Sequence, residues 1–111
     1  MFDKMIYIAS PYSHADQSVI DARYHAVLEY TAMLLNENEC AYSPVVHCHD
    51  MANKLNMPKT FDFWQHYNRA MIDRADELHV LCLEGWEQST GVAGEVEYAK
   101  SKGIEIVHVF P

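Results

Sequence analysis

EQSTGVAGEVEYAKSKG, residues 87–103, is the stretch that decides the fold. Val92, Val96 and Ala99 recur in it at the spacing of one helix face, and Gly103 follows as a helix stop. Apolar runs rich in Val, Ile and Leu flank the stretch, ELHVLCL at 77–83 and IEIVHVF at 104–110. A buried strand, a helix and a second buried strand in this order predict a unit with parallel strands.

The same alternation extends back to the start of the chain. Short apolar runs predict strands and periodic runs predict helices, with Ser, Thr or Asp as the caps that open each helix. The predicted elements are a strand at 5–10, a helix from Ser13 or Asp16 to about Asn36, a strand at 40–46 that Pro44 ends or confines to a sheet edge, a largely irregular segment at 47–60 with room for one short helix, and a helix from Phe61, capped by Thr60, to Arg74.

Alternating strands and helices predict an α/β fold. We expect a Rossmann-like three-layer domain, with a mainly parallel sheet of roughly four to five strands and helices on both faces. The chain has 111 residues without a repeat or a linker, so we expect a single domain over residues 1–111. Ligands of such sheets bind beyond the carboxyl ends of the strands, and the loops there carry the candidate site.

The charge, the cysteines and the apolar runs of the chain indicate which classes of partner it can bind. The formal net charge of −8 argues against a surface for duplex nucleic acid, which needs clustered Lys and Arg, but allows a small anion. The three cysteines lack CxxC spacing and fit reduced thiols, which predicts a cytoplasmic protein. No apolar run approaches the ~20 residues of a membrane span, and the N-terminus is unlike a signal peptide. We therefore expect a small-molecule partner, with no nucleic acid and no membrane.

Glu95 shares the inward face of the helix at 91–102, because it lies three residues after Val92 and four before Ala99. A capping box needs Glu three residues after a Ser or Thr cap, and neither Ser89 nor Thr90 has that spacing. An ion pair with a following Lys fails because position 99 is Ala. Two interpretations stay open: a partly buried carboxylate paired with a distant cation, or a carboxylate that lines a ligand site at the helix N-terminus, where amides and the dipole favour anions.

Three segments together resemble a known enzyme superfamily: STGVAGE (89–95), IYIASPYS (6–13) and YSPVVHCH (42–49). They are similar to the motifs of nucleoside 2-deoxyribosyltransferases and of the related 2'-deoxynucleoside 5'-monophosphate N-glycosidases. The PYSH opening and the GW…S.G…E ending resemble those of the DUF1937 branch. The resemblance covers nearly the whole chain and rests on the combination of segments, since S.G...E alone is a weak motif.

The resemblance implies roles for several residues. Glu95 would be the nucleophile that attacks the anomeric carbon of the sugar, and the helix N-terminus would keep its pKa low. Tyr7 would position Glu95, and Ser89 with the amides near Gly91 would hold a 5'-phosphate or 5'-hydroxyl. The chemistry needs no metal and no other cofactor. The implied function is an N-glycosidase or deoxyribosyltransferase of nucleotides or deoxynucleosides, assembled as a homodimer or homotetramer.

Asn68 departs from the superfamily's pattern, which has an acidic residue eight positions before the Asp that opens the third strand, here Asp76. An amide cannot act as a general acid. Three alternatives follow: Asn68 binds the base by hydrogen bonds, His47 or His49 supplies the proton, or the chain is a non-catalytic nucleotide-binding or sensing domain.

Further residues beside the loops each have a structural alternative. Arg23, inward on the first helix, would bind a ligand phosphate or carboxylate or pair with an internal acid. The run His47 to Asp50 has no second ligand cluster to complete a metal site, so we expect His47 to contact the ligand instead. The other substrate-binding candidates are Ser10, Tyr12 and Ser13 in the first loop, and Trp64, which could stack on a base or pack as a wall.

Overall fold

Strands and helices alternate along the computed structural model, which describes residues 4–111. All strands of the described sheet run parallel, in the order β2-β1-β3-β4. This confirms the prediction of an α/β fold with a parallel sheet. The elements are β1 (Met5–Ala9), α1 (Gln17–Asn36), β2 (Cys40–Tyr42), α2 (Pro44–Lys54), α3 (Phe61–Ile72), β3 (Glu77–Leu81), α4 (Thr90–Ser101) and β4 (Glu105–Val109).

Helices cover both faces of the sheet. Neighbouring residues of β1 point to opposite faces, so they belong to two different hydrophobic clusters. Ile6 and Ile8 belong to a buried cluster with Val27 and Leu34 of α1. The alternate residues of β1 belong to a second cluster with α3 and α4; its buried members are Tyr7, Ala9, Ile72, Ala75, Leu78, Val80, Val92 and Ala99. The Rossmann-like three-layer arrangement is therefore confirmed, with α1 on one face and α3 and α4 on the other.

The second predicted strand is too long. β2 ends at Tyr42, and Pro44 opens an eleven-residue helix that runs through most of the segment predicted to be irregular. Ser43 is its N-cap and accepts a hydrogen bond from the amide of Val46 at 3.1 Å. Pro44 stands at the first helical position, where a missing N–H costs nothing and the fixed φ suits the helix. The Ser-Pro pair is thus a helix start, and its interpretation as part of a strand was wrong.

The other boundaries agree closely with the sequence. Asp16 caps α1, which ends at Asn36, and Thr60 caps α3, which ends at Ile72, two residues before the predicted end. No helix among residues 4–111 is long and apolar enough to cross a membrane. Because the strands are parallel, their carboxyl ends share one edge of the sheet, and the loops that follow them converge there.

Candidate functional site

A cavity of about 370 Å³ opens at the carboxyl ends of β1 and β2, between the N-terminal parts of α3 and α4. Its volume falls in the range of roughly 300–1,000 Å³ that is typical of small-molecule sites. Residues of the loop after β1, of helices α2, α3 and α4, and of the segments just before α3 and α4 line it. They are Ser10, Tyr12, Ser13, Pro44, Val45, Cys48, His49, Ala52, Lys59, Thr60, Phe61, Trp64, Asn68, Gln88, Ser89, Thr90, Gly91 and Glu95.

Glu95 brings a carboxylate to this cavity from the inward face of α4. Ser89 is the N-cap and accepts from the amide of Val92 at 3.2 Å, so Glu95 is the sixth residue of the helix that begins at Thr90. The Tyr7 hydroxyl donates a hydrogen bond to Oε2 of Glu95 from the central strand, where the tyrosine is fully buried. The rigid centre of the sheet therefore fixes the position of the carboxylate.

Burial controls the protonation of this pair. It raises the pKa of Glu95 to about 7, and the hydrogen bond from Tyr7 offsets only part of the rise. Burial and the adjacent carboxylate raise the pKa of Tyr7 well above its ordinary value, so the phenol keeps its proton and remains a donor. The expectation of a low pKa for Glu95 was wrong, because the sixth helical residue lies beyond the first turn, where the field of the helix dipole is concentrated.

Two buried polar atoms beside the cavity have no hydrogen-bond partner among residues 4–111: Ser10 Oγ and Asn68 Oδ1. Ser10 is only 7% exposed, and both residues line the cavity. An unpaired buried polar group costs roughly 1–3 kcal/mol, so folds rarely keep two of them at one place. Their position at the same cavity favours a site for polar ligand groups.

Arg23 is not among the residues that line the cavity, and it pairs with no carboxylate among residues 4–111. Nη1 donates to the carbonyl of Ser13 at 2.9 Å, and Nη2 donates to the carbonyl of Glu84 at 3.0 Å. The guanidinium therefore joins the loop after β1 to the loop after β3. Sequence reasoning recognised an inward Arg but could not anticipate that backbone carbonyls would satisfy it.

The structure does not bring His47 to the cavity. Its side chain is exposed and lies beside the rings of Tyr42 and Tyr67, whereas His49 lines the cavity. Both histidines belong to α2, and in a helix two residues that are two apart point in widely different directions. Recognising Ser43 and Pro44 as a helix start would have separated the two histidines.

The other predicted residues fall where the sequence indicated. Tyr12, Ser13, Trp64, Ser89 and Gly91 line the cavity, and Trp64 Nε1 donates to the carbonyl of Pro58 at 2.7 Å. No group of three side chains among residues 4–111 could hold a metal ion. Several lining residues at the helix starts were not predicted from the sequence: Lys59, Phe61, Gln88 and Thr90. The signal for them was available, because each lies next to a predicted helix cap near the carboxyl edge of the sheet.

No curated protein matches this chain. One similar solved structure is a 2-desoxiribosyltransferase from Leishmania mexicana, with a TM-score of 0.59 and 20% sequence identity. The alignment covers 95% of this chain and 63% of the other, so this chain spans less than two thirds of that enzyme's length. At this identity the likeness shows a nucleoside 2-deoxyribosyltransferase-like fold.

A family model described as "Domain of unknown function (DUF1937)" matches residues 4–110. The match covers nearly every residue of the fold described above, including all the residues that line the cavity. The chain therefore belongs to the DUF1937 family.

Proposed function

We propose that this protein cleaves the N-glycosidic bond of a nucleoside or nucleotide, with Glu95 as the nucleophile. One observation carries the proposal: a partly buried carboxylate, held by Tyr7, lines a cavity of about 370 Å³ beside the N-terminus of a helix. A cavity of this size suits a nucleotide-sized ligand. A fixed carboxylate in a desolvated site is the group that stabilises an oxocarbenium-like transition state and then bonds to it.

In the proposed reaction an oxygen of ionised Glu95 attacks C1' of the sugar. The C1'–N bond breaks, its electron pair departs with the base, and a glycosyl ester of Glu95 forms. Water then releases the sugar in a hydrolase, or a second base accepts it in a transferase. Tyr7 keeps the carboxylate in position throughout, because its own raised pKa keeps the phenol a donor.

The groups near the start of α4 support a 5'-phosphate or 5'-hydroxyl as the other end of the ligand. The Ser89 oxygen accepts from the amide of Val92, so its hydroxyl hydrogen is free to donate. Gly91 lets a ligand approach the backbone closely, and the helix dipole favours an anion there. Lys59 supplies the only Lys or Arg side chain in the described lining, which favours a 5'-monophosphate.

A non-catalytic nucleotide-binding or sensing role is the second candidate. Asn68 favours it, because an amide cannot act as a general acid toward a departing base and Glu95 is the only carboxylate in the described lining.

The assembly and the location are also part of the proposal: we propose a homodimer or homotetramer in the cytoplasm. Exposed Phe63 and Tyr67 on α3 support association, and free cysteines support a reducing compartment.

The test is a panel of ribo- and deoxynucleosides and their 5'-monophosphates, with and without a second free base, read by chromatography of released base. We expect wild type to release base from some members and Glu95→Ala to release none. Glu97→Ala is the matched control, since Glu97 is exposed on the same helix, and it should keep full activity. No release by wild type, with thermal stabilisation by members of the panel, would instead support the binding role.

A further inference from the structure

His49 is the only imidazole, and Glu95 the only carboxylate, in the described lining of the cavity. If Glu95 attacks the sugar, no second carboxylic acid is at hand to stabilise the departing base. Departure of a base from C1' leaves negative charge on its nitrogen atoms, which a donor must compensate. Several side chains of the lining can donate a hydrogen bond, among them Asn68 and Lys59, and His49 is the one whose orientation is defined by contacts with three neighbours.

Three neighbours hold the His49 ring. Its face stacks on Tyr24, with the ring centroids 3.8 Å apart and the planes 17° apart. Its Nδ1 lies 2.6 Å from the hydroxyl of Tyr12, which also lines the cavity. Its own helix supplies Asn53, whose Nδ2 donates to the carbonyl of His49 at 2.9 Å. A ring fixed by stacking and by one nitrogen presents its other nitrogen in a defined direction.

The same contacts determine which nitrogen carries hydrogen. The carbonyl of His49 can only accept, so its contact with Asn53 fixes the nitrogen end of that amide as the donor. This nitrogen also lies 3.3 Å from Nδ1 of His49. Because Nδ1 faces this donor, we assign Nδ1 as the acceptor and place the hydrogen of the neutral ring on Nε2. Nε2 makes no hydrogen bond to any of residues 4–111, so its N–H is left for a ligand.

We propose that Nε2–H of His49 donates a hydrogen bond to the departing base. This inference rests on the proposed function. As Glu95 bonds to C1', the electron pair of the C1'–N bond moves onto the base, and the hydrogen bond from His49 stabilises the negative charge that develops. The base then takes a proton from water. The imidazole neither gains nor loses a proton in this scheme, so it requires no second acid.

The test compares two substrates that differ in how easily the base leaves. The first is the nucleotide that wild type cleaves fastest in the panel. The second is its derivative with a better leaving base: N7-methyl for a purine, or 5-fluoro for a pyrimidine. The variants are His49→Leu, which removes the donor, and His49→Gln, whose amide nitrogen can reach a similar position. His47→Leu is the matched control, two residues away on α2 but outside the cavity.

We expect His49→Leu to lower kcat about 100-fold on the first substrate and less than about threefold on the second, because a better leaving base needs little stabilisation. His49→Gln should recover most of the loss, and His47→Leu should change neither rate. Equal losses on both substrates, or no loss on either, with wild type active, would overturn the role of His49 alone. A wild type that releases no base would overturn the proposed function and this inference with it.

Discussion

The contact between Tyr7 and Glu95 joins the central strand to the candidate nucleophile through one hydrogen bond. Both residues and their contact could be predicted from the sequence. The helical spacing placed Glu95 on the inward face of its helix, and the family resemblance implied that Tyr7 positions it. The protonation of the pair could not be predicted in the same way. It depends on how completely neighbouring elements exclude water, and burial outweighs the effect of the helix N-terminus here.

Tyr7→Phe should move the pH dependence of base release to higher pH. The hydrogen bond from Tyr7 lowers the pKa of Glu95, so removing it raises that pKa above about 7. The attacking carboxylate must be ionised, so activity rises with pH as Glu95 loses its proton. We expect the acidic limb of kcat/KM to lie near pH 7 in wild type and above it in Tyr7→Phe.

The control for this variant is Tyr30→Phe. The Tyr30 hydroxyl likewise contacts a titratable side chain, with 2.8 Å to Nδ1 of His79, but Tyr30 packs on the opposite face of the sheet. Loss of that hydroxyl should leave the pH profile unchanged. An acidic limb that does not move in Tyr7→Phe would show that Glu95 does not control the rate in this pH range.

At the scale of elements, Arg23 of α1 ties two loops that follow different strands, and Gly85 makes room for it. A Cβ at Gly85 would lie 2.5 Å from Nη2 of Arg23, and the residue has φ +87°, which L side chains rarely adopt. Gly85→Ala therefore carries two penalties. The guanidinium must move and weaken its bond to Glu84, and the backbone is strained.

We expect Gly85→Ala to lower the free energy of unfolding by about 2–4 kcal/mol, read by urea denaturation. Gly103→Ala is the matched control, because Gly103 has φ +74° but nothing within 4 Å of its added Cβ. It should cost only about 1 kcal/mol, from backbone strain. In an Arg23→Ala background the excess cost of Gly85→Ala should disappear. Equal costs for the two glycines would mean that Arg23 does not restrict position 85.

Most of the helices and strands, but not α2, could be predicted from the sequence. Periodicity identified α1, α3 and α4, because each of these helices buries one regular face, and short apolar runs identified the strands. Helix α2 escaped because Ala, Tyr, Val and Val around Ser43 and Pro44 resemble a strand, and local propensity is a weak guide in so short a run. Without this helix, the sequence offered no way to separate His49, which lines the cavity, from His47, which does not.

At the scale of the whole molecule, Glu95 links stability to pH. Its pKa is about 7 in the folded chain and near 4.5 when exposed, so between these values the folded state binds the proton more tightly. The contribution of Glu95 to stability is therefore fully present below about pH 4.5 and is lost as the pH rises through about 7.

Glu95→Gln should remove this loss. Against wild type, we expect the variant to gain up to about 3 kcal/mol between pH 5 and pH 8, less where the cavity admits water. The measurement is the free energy of unfolding of both proteins at both pH values. Glu97→Gln, on the exposed side of the same helix, should show no such gain. A difference that stays constant with pH would mean that Glu95 is ionised in the folded state at pH 5.

The strand order of the sheet has a consequence for the chain while it is still being synthesised. Strand β1 is translated first, yet it lies in the middle of the sheet, and Met5 bonds to Asp76, 71 residues later. No parallel neighbour can fold back on it as a hairpin. The nascent chain therefore carries a hydrophobic strand with an unpaired edge until β3 leaves the ribosome. Chaperones that shield such an edge should bind β1 in incomplete chains only, because β2 and β3 pair with both of its edges in the finished sheet.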